Sequence, residues 1–172
     1  MKKICYLCSN KDYSIRPGKV RDKPNIKILE CSKCGLVYLS KFNHITDIHY
    51  QKSGMHNFKK INYKKWLNIT NIDDKRRYIF LKNKIKNKHI LDFGCGIGGF
   101  LEYAKKKAKS ITGIELEEAA LFWLNKRNLK AYSSLTKIKK KKFQLITAFH
   151  VFEHLKNPRK ILKRLSKQLT ND

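Results

Sequence analysis

The sequence lacks a long apolar run and has few acidic residues. No stretch approaches the roughly 18 consecutive apolar residues that a membrane-spanning helix needs, and residues 1–10 lack the apolar core of a signal peptide. We therefore expect a cytoplasmic protein. Its 172 residues are too few for a second large domain, and a hydrophobic content of 41% is too high for a disordered chain. We expect one core-forming domain with a small appendage.

Arginine is scarce although the chain is strongly basic. Lysine and arginine total 40 against 13 acidic residues, giving a net charge of +27, which is typical of chains that bind phosphates. Proteins that contact bases and phosphates rely on the planar fork of arginine, yet most of these bases are lysines scattered among Ile and Asn. The pattern favours compositional drift toward lysine over RNA binding, which stays open as an alternative.

Cysteine is almost confined to the first 40 residues. Cys5 and Cys8 form one Cys-x-x-Cys pair, and Cys31 and Cys34 form a second. Two such pairs are typical of a zinc site, where each pair presents two thiolates to one tetrahedral ion. Four thiolates leave no open position, so we expect structural Zn²⁺ and a zinc-ribbon-like module over residues 1–41.

Strands and helices alternate in the remainder of the chain. Residues 42–71 are expected to be a connector or lid. Asp73 and Asp74 can then cap a helix that is predicted to run to about Ile85. The alternation that follows predicts a Rossmann-like α/β fold, with a parallel sheet covered by helices on both faces. About four strands are legible, with the last as an open edge. We interpret residues 72–172 as a truncated domain whose sheet a partner chain or second copy would complete.

The stretch LDFGCGIGGF, residues 91–100, places glycines between a buried strand and a helix. Glycines there let the backbone turn tightly and approach a ligand at the start of the helix. Gly94, Gly96 and Gly99 also satisfy the G-x-G-x-x-G dinucleotide pattern, so glycines alone do not separate NAD from S-adenosylmethionine. Asp92 favours S-adenosylmethionine, because a carboxylate there suits an ammonium group and repels a pyrophosphate.

Glu115 ends the next strand, about 20 residues after the loop. An acid at that place accepts hydrogen bonds from both hydroxyls of an adenosine ribose, whichever of the two cofactors carries it. Strand, loop, helix, strand and acid thus follow one another in the order that a nucleoside site requires.

The segment HVFEH contains His150 and His154 and matches the H-x-x-E-H pattern of a zinc peptidase family. That pattern requires a continuous helix, whereas this segment follows a strand and soon reaches Pro158, so we predict a turn and reject the peptidase. Ligands of open α/β sheets collect beyond the carboxyl ends of strands. His150 and His154 are therefore candidate catalytic residues that take the acceptor's proton. The alternative is that Glu153 and His154 hold the turn through hydrogen bonds to the backbone.

Three ordered motifs, LDFGCGIGGF, GIELEE and FQLITAFHVFEHLKNP, resemble those of class I S-adenosylmethionine-dependent methyltransferases. The third is similar to a segment of bacterial members that carry a cysteine-rich N-terminal module. The resemblance runs from Cys5 to about Leu169. It implies methyl transfer to a small-molecule acceptor such as a sugar. It places the cofactor contacts on Asp92, Gly94, Cys95, Gly96, Gly98, Glu115, Ser133 and Phe149.

Two departures from that family leave alternatives open. The acid that often follows the third strand is replaced by AYSSL, so Ser133 or Ser134 would take its place near the adenine and substitute for it more weakly. A complete domain of this family has seven strands, more than are legible here. An RNA methyltransferase that uses the basic surface, a non-catalytic remnant that binds S-adenosylmethionine, and an NAD-dependent enzyme remain as alternatives.

Overall fold

A computed structural model describes residues 4–20, 23–41, 62–138 and 142–170. Most of the predicted connector, residues 42–61, lies outside the described residues. The chain divides into two compact units, a small one that contains the cysteine pairs and a larger one that contains the glycine loop. Within the described ranges, no helix has the length and apolar character that crossing a membrane requires.

The small unit is an antiparallel sheet of three short strands. β1 (Tyr13–Arg16), β2 (Ile28–Cys31) and β3 (Val37–Leu39) lie in the order β1-β2-β3. Its buried core consists of two of the cysteines together with Leu29 and Tyr38. So few apolar side chains bury little surface, and a unit of this size usually needs a metal or disulfides to fold.

The larger unit is built on a parallel sheet. β4 (His89–Phe93), β5 (Ser110–Ile114), β6 (Ala131–Tyr132) and β7 (Leu145–Thr147) lie in the order β6-β5-β4-β7, and every pair is parallel. This confirms the predicted Rossmann-like fold. We call the side of the sheet where these strands end the carboxyl edge, and the side where they begin the amino edge.

Helices connect the strands and supply the core of the larger unit. They are α1 (Tyr63–Ile85), α2 (Gly99–Ala104) and α3 (Glu118–Lys126), with short 3-10 helices at Leu135–Ile138 and Phe152–His154. A last helix, α4 (Pro158–Ser166), begins among residues that group with the small unit and ends in the larger one. Leu81 and Ile85 of α1 pack with Phe100 of α2 against Ile90 of the central strand. This packing holds the first two helices beside the strand that ends in the glycine loop.

α1 begins ten residues before the predicted start at Asp73. Asn62 is its N-cap, and the Asn62 side chain accepts a hydrogen bond of 3.0 Å from the backbone N–H of Lys65. Asp73 and Asp74 lie in the middle of the helix, where Asp73 pairs with Arg76. The prediction of a start at Asp73 was wrong because two consecutive acids resemble a helix cap in sequence, whereas here they pair with bases one turn later.

β7 is the outermost strand of the parallel sheet, as the sequence predicted. Phe143, just before β7, forms a parallel bridge with Leu169. The N–H of Phe143 donates to the carbonyl of Gln168 at 2.8 Å, and the N–H of Thr170 donates to the carbonyl of Phe143 at 2.9 Å. The segment after α4 therefore covers the position just before β7, while β7 itself is the edge strand of the described sheet.

Candidate functional site

The glycine loop joins β4 to α2 at the carboxyl edge. Gly94 has φ of +77°, and a Cβ added there would lie 2.3 Å from the Val151 side chain, so the protein's own packing excludes a larger residue. Gly96 has φ of +54°, but a Cβ there would meet nothing within 4 Å. Gly96 is therefore the position where the loop backbone is open to an incoming ligand.

Cys95 belongs to the same loop, but its side chain faces inward. Its sulfur packs with Leu101, Leu124 and Leu129, and it would lie 2.5 Å from a Cβ on Gly113. Burial raises the pKa of the Cys95 thiol well above its usual value, so the thiol stays neutral. Only the backbone of Cys95 is left to contact a ligand.

Glu115 follows β5 and joins the glycine loop. Its Oε2 accepts a hydrogen bond of 2.7 Å from the N–H of Gly96, and its Oε1 accepts from Leu116 and Glu117 at 2.6 and 2.9 Å. Burial raises the pKa of Glu115, and these three backbone donors oppose that rise. The structure thus brings together the predicted loop and the predicted ribose acid.

Ser133 lies next to Glu115 at the carboxyl edge. It follows β6, where the N–H of Glu115 donates to the carbonyl of Tyr132 at 3.0 Å. Ser133 is partly buried. The hydroxyl of the neighbouring Ser134 is within 2.6 Å of the Thr136 hydroxyl, so Ser133 is the one of the two serines whose side chain has no described hydrogen bond.

Asp92 is buried at the end of β4, with 3% of its surface exposed. Its Oδ1 accepts a hydrogen bond of 2.7 Å from the Thr147 hydroxyl, on the neighbouring strand in register. Burial raises the pKa of Asp92 to about 7, although Thr147 and the positive charge of Arg77 oppose the rise. A carboxylate held in this way gains stability when a further cation approaches it.

Arg77 of α1 is a site residue that the sequence reasoning missed. It forms ion pairs with Asp73 and Asp74, the latter at 3.3 Å between Nη1 and Oδ1. Its guanidinium carbon lies 4.8 Å from the centroid of the Phe149 ring. Arg77 follows Asp74 by three residues and Asp73 by four, which are the spacings that pair side chains on a helix. The sequence would have predicted this network if the segment had been interpreted as one continuous helix.

The predicted cofactor residue Phe149 and candidate base His150 come directly after β7. The Phe149 ring packs edge-on against Phe100, with centroids 5.1 Å apart. His150 is exposed and has φ of +53°, a strained conformation for a residue with a side chain. Its Nδ1 lies 3.5 Å from Glu153 Oε1. The turn thus holds the imidazole out from the carboxyl edge.

His154 ends the three-residue 3-10 helix Phe152–His154, and its N–H donates to the carbonyl of Val151 at 3.0 Å. It is less exposed than His150. The HVFEH segment is therefore a turn with one short 3-10 helix. This confirms the prediction that it is no continuous helix and removes the geometry that a peptidase zinc site requires.

The four cysteines of the small unit lie together, and their sulfur atoms are all within 4.8 Å of one another. The Cys5–Cys34 and Cys8–Cys31 sulfurs are 3.7 and 3.5 Å apart. With Zn–S bonds of about 2.3 Å, tetrahedral geometry requires sulfurs about 3.8 Å apart. The cluster suits a tetrahedral thiolate-binding metal.

Comparison with known proteins gives relatives for the larger unit. A search of curated proteins returned no significant match. Among solved structures, the plantazolicin methyltransferase BpumL in complex with SAH shares 28% identity over 69% of this chain and 48% of its own, with a TM-score of 0.43. This chain therefore spans about half the length of that relative.

A second structure shows the fold. The magnesium protoporphyrin IX methyltransferase from Synechocystis PCC 6803 with bound SAM shares 12% identity over 75% of this chain and 72% of its own, with a TM-score of 0.53. The family described as a methyltransferase domain matches residues 63–172. Because that match covers more than half of the sequence, the chain belongs to the methyltransferase-domain family and has the fold of S-adenosylmethionine-dependent methyltransferases.

Proposed function

We propose that this chain binds S-adenosylmethionine at the carboxyl edge and transfers its methyl group to a small-molecule acceptor. The observation that carries the proposal is the meeting of Gly96, Glu115 and Asp92 at that edge. Gly96 leaves its backbone accessible, and Glu115 supplies the acid that suits ribose hydroxyls. Ser133 lies beside Glu115 on the side where the adenine would bind.

Asp92 favours S-adenosylmethionine over NAD. A buried carboxylate with one side-chain hydrogen bond becomes more stable beside an ammonium group and less stable beside a pyrophosphate. Arg77 adds a cation close to Asp92 and Phe149, which suits the carboxylate of an amino acid. The pair of opposite charges therefore matches the two charged groups of the methionine moiety.

The residues after β7 are placed to act on the acceptor. When bound, the cofactor supplies an electrophilic methyl group on a positively charged sulfonium. His150 is the candidate base, which takes the proton that the acceptor's attacking atom loses. Glu153 Oε1 lies 3.5 Å from its Nδ1 and holds the ring in the turn. Most of the rate enhancement comes from holding the two reactants in line.

Calorimetric titration of the full chain with S-adenosylhomocysteine and NADH tests the cofactor. We expect binding of S-adenosylhomocysteine alone. Asp92→Ala should weaken it by about 10- to 100-fold, because a buried charged interaction contributes on the order of 1.5–3 kcal/mol. The same substitution should leave 5′-methylthioadenosine, which lacks the ammonium group, unchanged. Glu118→Ala, an exposed acid in the next helix, is the matched control, and binding of NADH alone would overturn the assignment.

We also propose that Cys5, Cys8, Cys31 and Cys34 hold one structural Zn²⁺. Four sulfurs leave no position for a substrate, and metal binding supplies folding energy that the small core of this unit lacks. Elemental analysis should find one zinc per chain in the wild type and none in Cys5→Ser/Cys34→Ser. Cys95→Ser, outside the cluster, should retain it. A metal-free wild type that is equally stable in chelator would contradict the proposal.

A further inference from the structure

The amino edge of the parallel sheet carries a row of exposed lysines. Each of the four strands is preceded by at least one of them, and the topology places these segments side by side. We call this set the lysine edge, and it consists of Lys86, Lys88, Lys107, Lys109, Lys130 and Lys142. With strands about 4.8 Å apart, the row across four strands is about 14 Å long.

Acidic side chains are almost missing from this side of the described larger unit. Most of its described acids, among them Asp92, Glu115 and Glu153, lie at or just after the carboxyl ends of strands. Glu102, in the middle of α2, is the acid closest in sequence to the lysines of this edge, and it already forms ion pairs with Lys105 and Arg127. The lysine edge is therefore a positively charged surface with almost no acidic side chains beside it.

Helix dipoles do not account for this placement. Cations are favoured at the last turn of a helix, but the effect falls off beyond that turn, and Lys88, Lys109 and Lys130 lie in the segments that lead into strands. Lys88 and Lys109 are also direct neighbours, because the N–H of Lys109 donates to the carbonyl of Lys88 at 2.9 Å. Like charges opposite each other destabilise a sheet, so the fold itself gains nothing from this arrangement.

Compositional drift also fits the placement poorly. Drift toward lysine accounts for exposed lysines on both sides of the sheet, such as Lys137 after β6, but it does not explain why acids are nearly missing beside the lysine edge. A one-signed surface of this kind attracts a polyanion. Lysines are depleted in protein–protein interfaces, and without arginine they contact phosphates as point charges and do not read bases.

We propose that the lysine edge is a docking surface for the phosphate backbone of a nucleic acid, bound without sequence preference. The surface lies opposite the carboxyl edge, so the phosphates held there are not at the site of methyl transfer. Docking there would hold the protein near nucleic acid while the cofactor site stays free. The inference is independent of the proposed methyl transfer, since it rests on the other edge of the sheet.

Fluorescence anisotropy with the full chain and labelled oligouridine of about 20 nucleotides tests this inference. We expect binding that weakens steeply between about 50 mM and about 200 mM salt. Replacing Lys86, Lys88, Lys107 and Lys109 with Gln should weaken binding at least about tenfold. It should also reduce the slope of log Kd against log salt by about three, because each lost phosphate contact removes about 0.7.

The matched control removes the same charge elsewhere. Replacing Lys64, Lys65, Lys75 and Lys137 with Gln, all exposed and outside the lysine edge, should change the affinity less than about threefold. Equal weakening in both variants would overturn the inference, because net charge alone would then explain binding. Tighter binding to polyglutamate or to vesicles of anionic lipid than to the oligonucleotide would also overturn it. Equal affinity for oligouridine and oligothymidine would support contact through phosphates.

Discussion

The two edges of the parallel sheet differ in how closely the sequence prescribes their chemistry. At the carboxyl edge, a glycine loop and two acids at fixed spacing have been brought into contact, as the bond between Gly96 and Glu115 shows. At the amino edge, lysines such as Lys88 and Lys109 belong to no motif and gain a common surface only through the strand order. Sequence motifs therefore predict the chemistry of the carboxyl edge, whereas the lysines of the amino edge come together only through the strand order.

The difference also concerns the cost of burial. Asp92 at the carboxyl edge is buried and has a strongly raised pKa, whereas the lysines at the amino edge are exposed and hydrated. A buried charge changes both stability and ligand affinity when it is altered, but an exposed one changes mainly long-range attraction. Substitutions at the two edges should therefore differ in kind as well as in size.

The largest loss of stability from a substitution is expected at Gly94. A Cβ there would lie 2.3 Å from Val151, and φ is +77°, so Gly94→Val should destabilise the fold by about 3 kcal/mol. Gly96→Ala faces open space and should cost only about 1 kcal/mol through its positive φ. Thermal unfolding measures both. If Gly96→Ala also bound S-adenosylhomocysteine like the wild type, the backbone of the loop would not approach the ligand.

A gain of stability that depends on pH is expected from Asp92→Asn. The pKa of Asp92 is about 7 when folded and about 3.8 when unfolded, so the folded state holds the proton more tightly. The wild type should lose stability as pH rises from about 4 to about 7, by at most about 4 kcal/mol. Near pH 4 the Asp92→Asn variant should be as stable as the wild type, and above pH 7 the variant should be the more stable of the two. Denaturant unfolding across this range measures the free energy of unfolding of both proteins. If it changed with pH by the same amount in the two proteins, Asp92 would not have a raised pKa in the folded state.

Glu115→Gln should have a moderate effect on ligand binding. The amide keeps one acceptor for the backbone N–H groups but loses the charge that strengthens hydrogen bonds to ribose hydroxyls. We expect about a tenfold weaker affinity for both S-adenosylhomocysteine and 5′-methylthioadenosine, since both carry the ribose. Titration calorimetry compares the two ligands, and a loss confined to one of them would place Glu115 elsewhere in the site.

The smallest effect is expected when lysines of the amino edge are replaced and ligand affinity at the carboxyl edge is measured. Replacing Lys88 and Lys109 with Gln removes two exposed charges on the far side of the sheet. Affinity for S-adenosylhomocysteine should change less than about twofold, because charges separated by more than a Debye length of about 8 Å are largely screened. A larger change would mean that the two edges are coupled.

The sequence predicted the sheet and the contacts of the carboxyl edge better than it predicted α1. Asp92 and Glu115 lie where their strands end, as the alternation of strands and helices indicates. The start of α1 was misjudged because Asp73 and Asp74 resemble a cap, and this error concealed Arg77 as a site residue. Contacts between distant residues, such as Thr147 with Asp92, follow from strand order and leave no local signal.

The sequence alone determined the paired cysteines, the glycine loop and the order of strands and helices, since local spacing and hydrophobic period carry that information. Only the tertiary structure decided which groups meet. Burial in the folded protein raised the pKa of Asp92, helix packing brought Arg77 to Phe149, and parallel pairing collected lysines from separate segments along one edge. The physical reason is that dielectric environment and charge proximity depend on distances through space, which the linear chain does not specify.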